Sequence, residues 1–132
     1  MSGAPTISAA IIALNEEANL PGLLRSLAWA DEVVVIDGGS RDGTVRIARE
    51  FGCSVQVHPF DTYAAQRNRA IAAARGDWIL SIDADERPTP GLVEEIRGRT
   101  LYGDYLAFRV PIRSRIFGRR MRFSGTQDDR PL

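Results

Sequence analysis

The sequence predicts an α/β protein built on a mostly parallel, doubly wound sheet flanked by helices. Three observations carry this. Short apolar runs alternate with segments of helical periodicity in the order β-α-β-α-β-α-β. The first run, Ile7 to Leu14, is apolar almost throughout, the pattern of a strand covered on both faces. Breaks in the pattern follow each run, at the carboxyl ends where such sheets bind ligands.

The elements follow in order. Residues 18–29 place Leu20, Leu23, Leu24 and Leu27 on one helical face. Val33 to Ile36 is a second β-branched run, broken by Asp37-Gly38-Gly39-Ser40. A helix is expected near 43–51, with Val45, Ala48 and Phe51 on its inner side. Ser54 to Val57 reads as a short third strand. Thr62 suits the N-cap of a helix reaching about Arg75, stopped by Gly76. Trp78 to Ile82 reads as a fourth buried strand. Thr89-Pro90 opens a helix to about Arg97, with proline in its first turn. From Tyr105 the pattern turns to strands, with a turn near Phe117-Gly118.

The chain of 132 residues fits one domain. No run approaches the roughly 18 apolar residues of a membrane span, and Met1 to Thr6 lacks the pattern of a secretory signal. The cytoplasm is therefore expected. Cys53 is the only cysteine, which excludes an internal disulfide and a cysteine-built zinc site. It reads as a small buried hydrophobe. His58 is the only histidine and reads as incidental, so acid–base chemistry must rest mainly on carboxylates.

Net charge is zero but unevenly placed. Residues 1–108 hold 10 Arg against 15 Asp and Glu, whereas 109–132 hold 7 Arg against 2 Asp. The arginine-rich 109–122 segment reads as a solvated hairpin or as a peripheral contact with lipid head groups. No aromatic–basic interleaving supports nucleic acid as a partner.

Asp83 and Asp85 follow the fourth run directly. In an extended segment residues i and i+2 share a side, so the two carboxylates would converge with Ala84 turned away. Two close anions repel unless a cation lies between them. Mg2+ or Mn2+ is commonly held by one or two carboxylates plus phosphate oxygens. The bland reading is a turn that caps the next helix. Haloacid-dehalogenase-type phosphatases share Asp-x-Asp, but after their first strand and with Thr or Val where this chain has Arg87. Gly38, Gly39 and Gly43 form neither a dinucleotide fingerprint nor a P-loop.

Taken together, Ala13 to Glu17, Val34 to Thr44, Gln66-Arg67-Asn68 and Ile82 to Glu86 resemble family 2 glycosyltransferases of the GT-A fold in order and spacing. The likeness is nearest to bacterial enzymes of lipopolysaccharide-core and cell-envelope synthesis. It implies metal-dependent transfer of a sugar from a nucleotide donor, UDP favoured, to a glycan or lipid-linked acceptor hydroxyl, with inversion. Leu14, Asn15 and Glu17 would border the donor nucleoside. Asp37 would lie beside base and ribose, with Gly38 standing where the family has a second aspartate. Arg67 and Asn68 would lie near the diphosphate. Asp83 and Ala84 would lie beside ribose and metal, with Asp83 sharing the ion, and Asp85 would be its direct ligand and the catalytic residue.

Taken alone, Glu16 and Glu17 also suit a helix start, and Ser40 and Asp42 are ordinary turn residues. The resemblance makes 1–100 the nucleotide-sugar-binding half and 101–132 the start of an acceptor-side half. Asp129-Arg130-Pro131-Leu132 reads as a cut through a continuing strand, so that half and its catalytic base are expected to be incomplete. Strands of 105–132 left without neighbours would favour a homo-oligomer. The competing readings are a nucleotide- and metal-binding module without turnover, and a nucleotidyltransferase.

Overall fold

The computed structural model describes residues 3–101, 106–110, 115–116 and 119–120. Residues 1–101 form one compact unit and 102–132 another. The first unit carries β1 (Ile7–Ala13), α1 (Leu20–Ser26), β2 (Glu32–Asp37), α2 (Thr44–Glu50), β3 (Ser54–Val57), α3 (Tyr63–Ala73), β4 (Trp78–Asp83) and α4 (Pro90–Thr100). Its four strands are all parallel, in the order β3-β2-β1-β4. The direction of winding reverses between β1 and β4, which opens a crevice at their carboxyl ends. In the second unit, β5 (Arg115–Ile116) pairs antiparallel with β6 (Arg119–Arg120). The turn expected at Phe117-Gly118, and most of the segments expected to meet lipid or a second copy, lie outside the described residues.

Alternation along the central strands covers both faces of the sheet. Ala9, Ile11 and Ala13 of β1 and Val35 of β2 pack with Leu20, Leu23, Leu24 and Leu27 and with Ala48 of α2. Ala10, Val34 and Ile36 point the other way, against Ala70 of α3. Burial of each large aliphatic side chain contributes about 1.5–3 kcal/mol. The expected caps form: Thr62 Oγ1 accepts from the amide of Ala65, and Thr89 Oγ1 from that of Leu92. Among the described residues no helix is long and apolar enough to cross a membrane.

Several local expectations are corrected. The first strand stops at Ala13, and Leu14 emerges exposed at the sheet's carboxyl edge. The inner side of α2 is Thr44, Ile47 and Ala48, while Phe51 caps the helix and is exposed. α2 ends at Glu50, so Phe51 falls just past the helix and is not carried onto its inner face. β4 pairs only with β1 among the described residues, so it is a half-exposed edge strand rather than a buried one. α3 ends at Ala73, before Gly76. Glycine is needed at 76 for close approach, since a Cβ there would lie 2.6 Å from Ser8 Oγ and 2.7 Å from its backbone nitrogen.

Candidate active site at the carboxyl edge of the sheet

The loops after all four parallel strands gather at one edge. The turn after β2 is built on Asp37. Its carboxylate is fully buried and accepts from the amides of Gly39 (3.0 Å) and Ser40 (2.8 Å) and from the Ser40 hydroxyl (2.6 Å). Gly39 adopts φ +100°, which a side chain would strain. Asp37 therefore shapes the loop, and its own oxygens are engaged in that turn.

The loops after β1 and β2 are stitched together. Asn15 takes φ +54°, a conformation that asparagine tolerates. This lets its amide donate to Ser40 Oγ (2.8 Å) while its Oδ1 accepts from the amide of Arg41 (2.8 Å). The amide of Glu16 donates to Thr44 Oγ1 (2.9 Å) and that of Glu17 to Asp42 Oδ2 (3.2 Å). Glu17 Oε2 accepts in turn from the amide of Gly43 (2.7 Å). Asp42 also accepts from the Thr44 hydroxyl, which holds its carboxyl below the usual range. Ser40, Asp42 and Thr44 are thus the fasteners of the site. Read alone, the first two look like ordinary turn residues, and their partners lie about 25 residues away in sequence.

β4 ends at Asp83, and Ala84-Asp85 is a turn closed by the amide of Glu86 on Asp83 O (3.0 Å). The chain is therefore not extended through Asp85, because Glu86 draws the backbone round and accepts from the amide of Asp83 (2.7 Å). Burial and the charges of Asp83 and Asp85 hold the Glu86 carboxyl above its ordinary range. Ala84 is buried, and Asp85 is exposed with no hydrogen bond or ion pair among the described residues.

Arg67 lies beneath this turn. It donates to Ser81 Oγ (2.6 Å) and pairs with Asp83 Oδ1 (2.9 Å). The repulsion expected between the paired carboxylates is thus partly met by a guanidinium of the chain itself. Asn68 is exposed and makes no such bond. Arg87 braces the same loop, donating to Ala84 O (3.0 Å) and to Asn19 O at the start of α1. A Cβ on Gly22 would come within 3.0 Å of that guanidinium, so glycine makes room for it. Neither Arg87 nor Glu86 stood out as a site residue in the sequence. Glu86's contact is local, whereas Arg87 reaches an oxygen 68 residues away.

The donor set suits a hard divalent cation in one way only. No cluster of three or more His, Cys, Asp or Glu side chains able to hold a metal occurs among the described residues. With at most two carboxylates at this turn, an ion would have to take its remaining ligands from phosphate oxygens and water, as Mg2+ and Mn2+ can.

A parallel sheet with this strand order and an Asp-x-Asp turn at the switch point is the architecture of the GT-A class of sugar transferases. The profile described as Glycosyl transferase family 2 matches residues 8–123, and the chain belongs to that family. An uncharacterized glycosyltransferase of Rickettsia bellii is 44% identical over 110 residues, covering 80% of this chain and 37% of that one. A lipopolysaccharide core biosynthesis glycosyltransferase of Rhizobium meliloti is 38% identical over 93 residues, 67% of this chain and 34% of that one. The crystal structure of glucosyl-3-phosphoglycerate synthase from Mycobacterium tuberculosis, in complex with Mn2+, UDP and glucosyl-3-phosphoglycerate, superposes with a TM-score of 0.63 at 32% identity. That match covers 76% of this chain and 41% of the synthase. The chain spans about a third of the length of these curated relatives.

Proposed function

We propose that this chain binds a nucleoside-diphosphate sugar, with UDP as the carrier, for transfer of the sugar to an acceptor hydroxyl in cell-envelope glycan synthesis. One observation carries the reading. Asp85 stands exposed, with no bonding partner among the described residues, beside an Asp83 already fixed by Arg67, at the switch point of a family 2 sheet. Asp85 and Asp83 would hold Mg2+ or Mn2+, which when bound stabilises negative charge on the departing diphosphate. Arg67 orients Asp83 and adds positive charge to the diphosphate end of the site. Leu14, Asn15 and Glu17 border the nucleoside, on a loop that the Asp37 turn positions. Asn68, exposed one residue after Arg67, is left to contact the donor. UDP is supported by the nucleotide in the similar synthase, and the envelope acceptor by the lipopolysaccharide-core relative.

The test is release of nucleoside diphosphate from a panel of UDP- and GDP-sugars, with and without Mn2+. Release from a UDP-sugar that stops on chelation is expected. Binding without release under any condition would favour a nucleotide-binding module instead.

A further inference from the structure

We infer that the exposed aromatic pair Phe60–Tyr63, of which Phe60 lies against Gly38, is the wall on which the donor's nucleobase stacks. The inference rests on the nucleotide-donor reading above. Among the described residues no acidic side chain is free at the end of β2: Asp37 is buried and its carboxylate bonded, and Gly38 has no side chain. Close to that point lie two rings instead. Phe60 is 40% exposed and Tyr63 72%, with centroids 5.0 Å apart in an edge-to-face arrangement.

Glycine at 38 leaves room for Phe60. A Cβ there would lie 3.2 Å from Phe60 Cβ and 3.6 Å from Leu14 Cβ. The amide of Phe60 donates to Gly38 O (3.1 Å) and that of His58 to Asp37 O (2.8 Å). The loop bearing Phe60 is also braced from α3. Buried Gln66 donates through Nε2 to His58 O (3.0 Å) and accepts from Arg69 (2.6 Å). Arg69 in turn grips both carboxylate oxygens of Asp61 (2.8 and 2.7 Å). A preformed wall loses little freedom when a ligand stacks on it.

Position along α3 links the wall to the charged end of the site. Tyr63 and Arg67 are four residues apart on one helix, so their Cβ atoms lie about 5–6 Å apart on one face. Arg67 holds Asp83. A base on the rings and a diphosphate beside Arg67 are thus one helical turn apart, with the ribose between. Stacking tolerates any base, so the wall supplies affinity for uridine and guanosine alike.

The experiment compares UDP, GDP and inorganic pyrophosphate, each with Mn2+, by calorimetry on the unaltered chain and on Tyr63→Ala, Tyr63→Phe and Asp85→Ala. Tyr63 is exposed, so its loss leaves the fold intact. Tyr63→Ala is expected to weaken both nucleotides about tenfold and to leave pyrophosphate unchanged, with Tyr63→Phe restoring affinity. Unchanged nucleotide affinity in Tyr63→Ala, or an equal loss for pyrophosphate, overturns the wall. Asp85→Ala weakening all three ligands would leave the donor site standing even then. Failure of the unaltered chain to bind any of them overturns both readings.

Discussion

Replacing Asp37 with alanine is expected to lower the free energy of unfolding by about 3 kcal/mol or more. The carboxylate is buried and meets two backbone amides and a hydroxyl, all within its own turn. Each donor left unmet costs about 1–3 kcal/mol, and bonds to a charged acceptor are stronger than neutral ones. Partial opening of the turn to water offsets some of this. The consequence reaches further, because Ser40 Oγ also holds the amide of Asn15. Asp37→Asn keeps one oxygen acceptor and should lose less. Urea unfolding of the three proteins measures the effect. A loss under about 1 kcal/mol for the alanine variant would mean that the turn does not depend on this side chain.

Asp85→Ala should behave in the opposite way. The side chain is exposed and has no bonding partner among the described residues, so stability should stay within about 0.5 kcal/mol of the unaltered protein. Affinity for a nucleoside diphosphate in Mn2+ should fall about a hundredfold or more. Groups that merely support a metal's ligands are worth about 10–100-fold in affinity, and a direct ligand stands at the upper end or beyond. Arg67→Ala should likewise leave the fold largely unaffected. The Arg67–Asp83 pair is more than a third exposed on both sides, so its loss should change stability by less than about 1 kcal/mol. Thermal melts with parallel nucleotide titrations separate the two kinds of residue. An Asp85 variant that binds as tightly as the unaltered chain would remove Asp85 from the site.

The sequence was informative where structure depends on near neighbours. Leucines at helical spacing located α1, and Thr62 and Thr89 marked helix starts because a cap bonds to an amide three residues on. Apolar runs located the strands, and their order implied the parallel sheet. Contacts between distant segments were not legible. Asn15 with Ser40, Arg67 with Asp83 and Arg87 with Asn19 join segments that only the folded sheet brings together. The resemblance puts Arg67 near a diphosphate, and the fold adds that it holds Asp83. Leu14 and Phe51 lie just past the ends of β1 and α2, and apolarity alone does not mark where an element stops.

The most direct test of the central claim is calorimetric titration of UDP into this chain with Mn2+ and again with the ion chelated. A metal-dependent donor site predicts saturable binding of UDP in Mn2+ that collapses on chelation. Binding of equal strength in both conditions, or none in either, would contradict it.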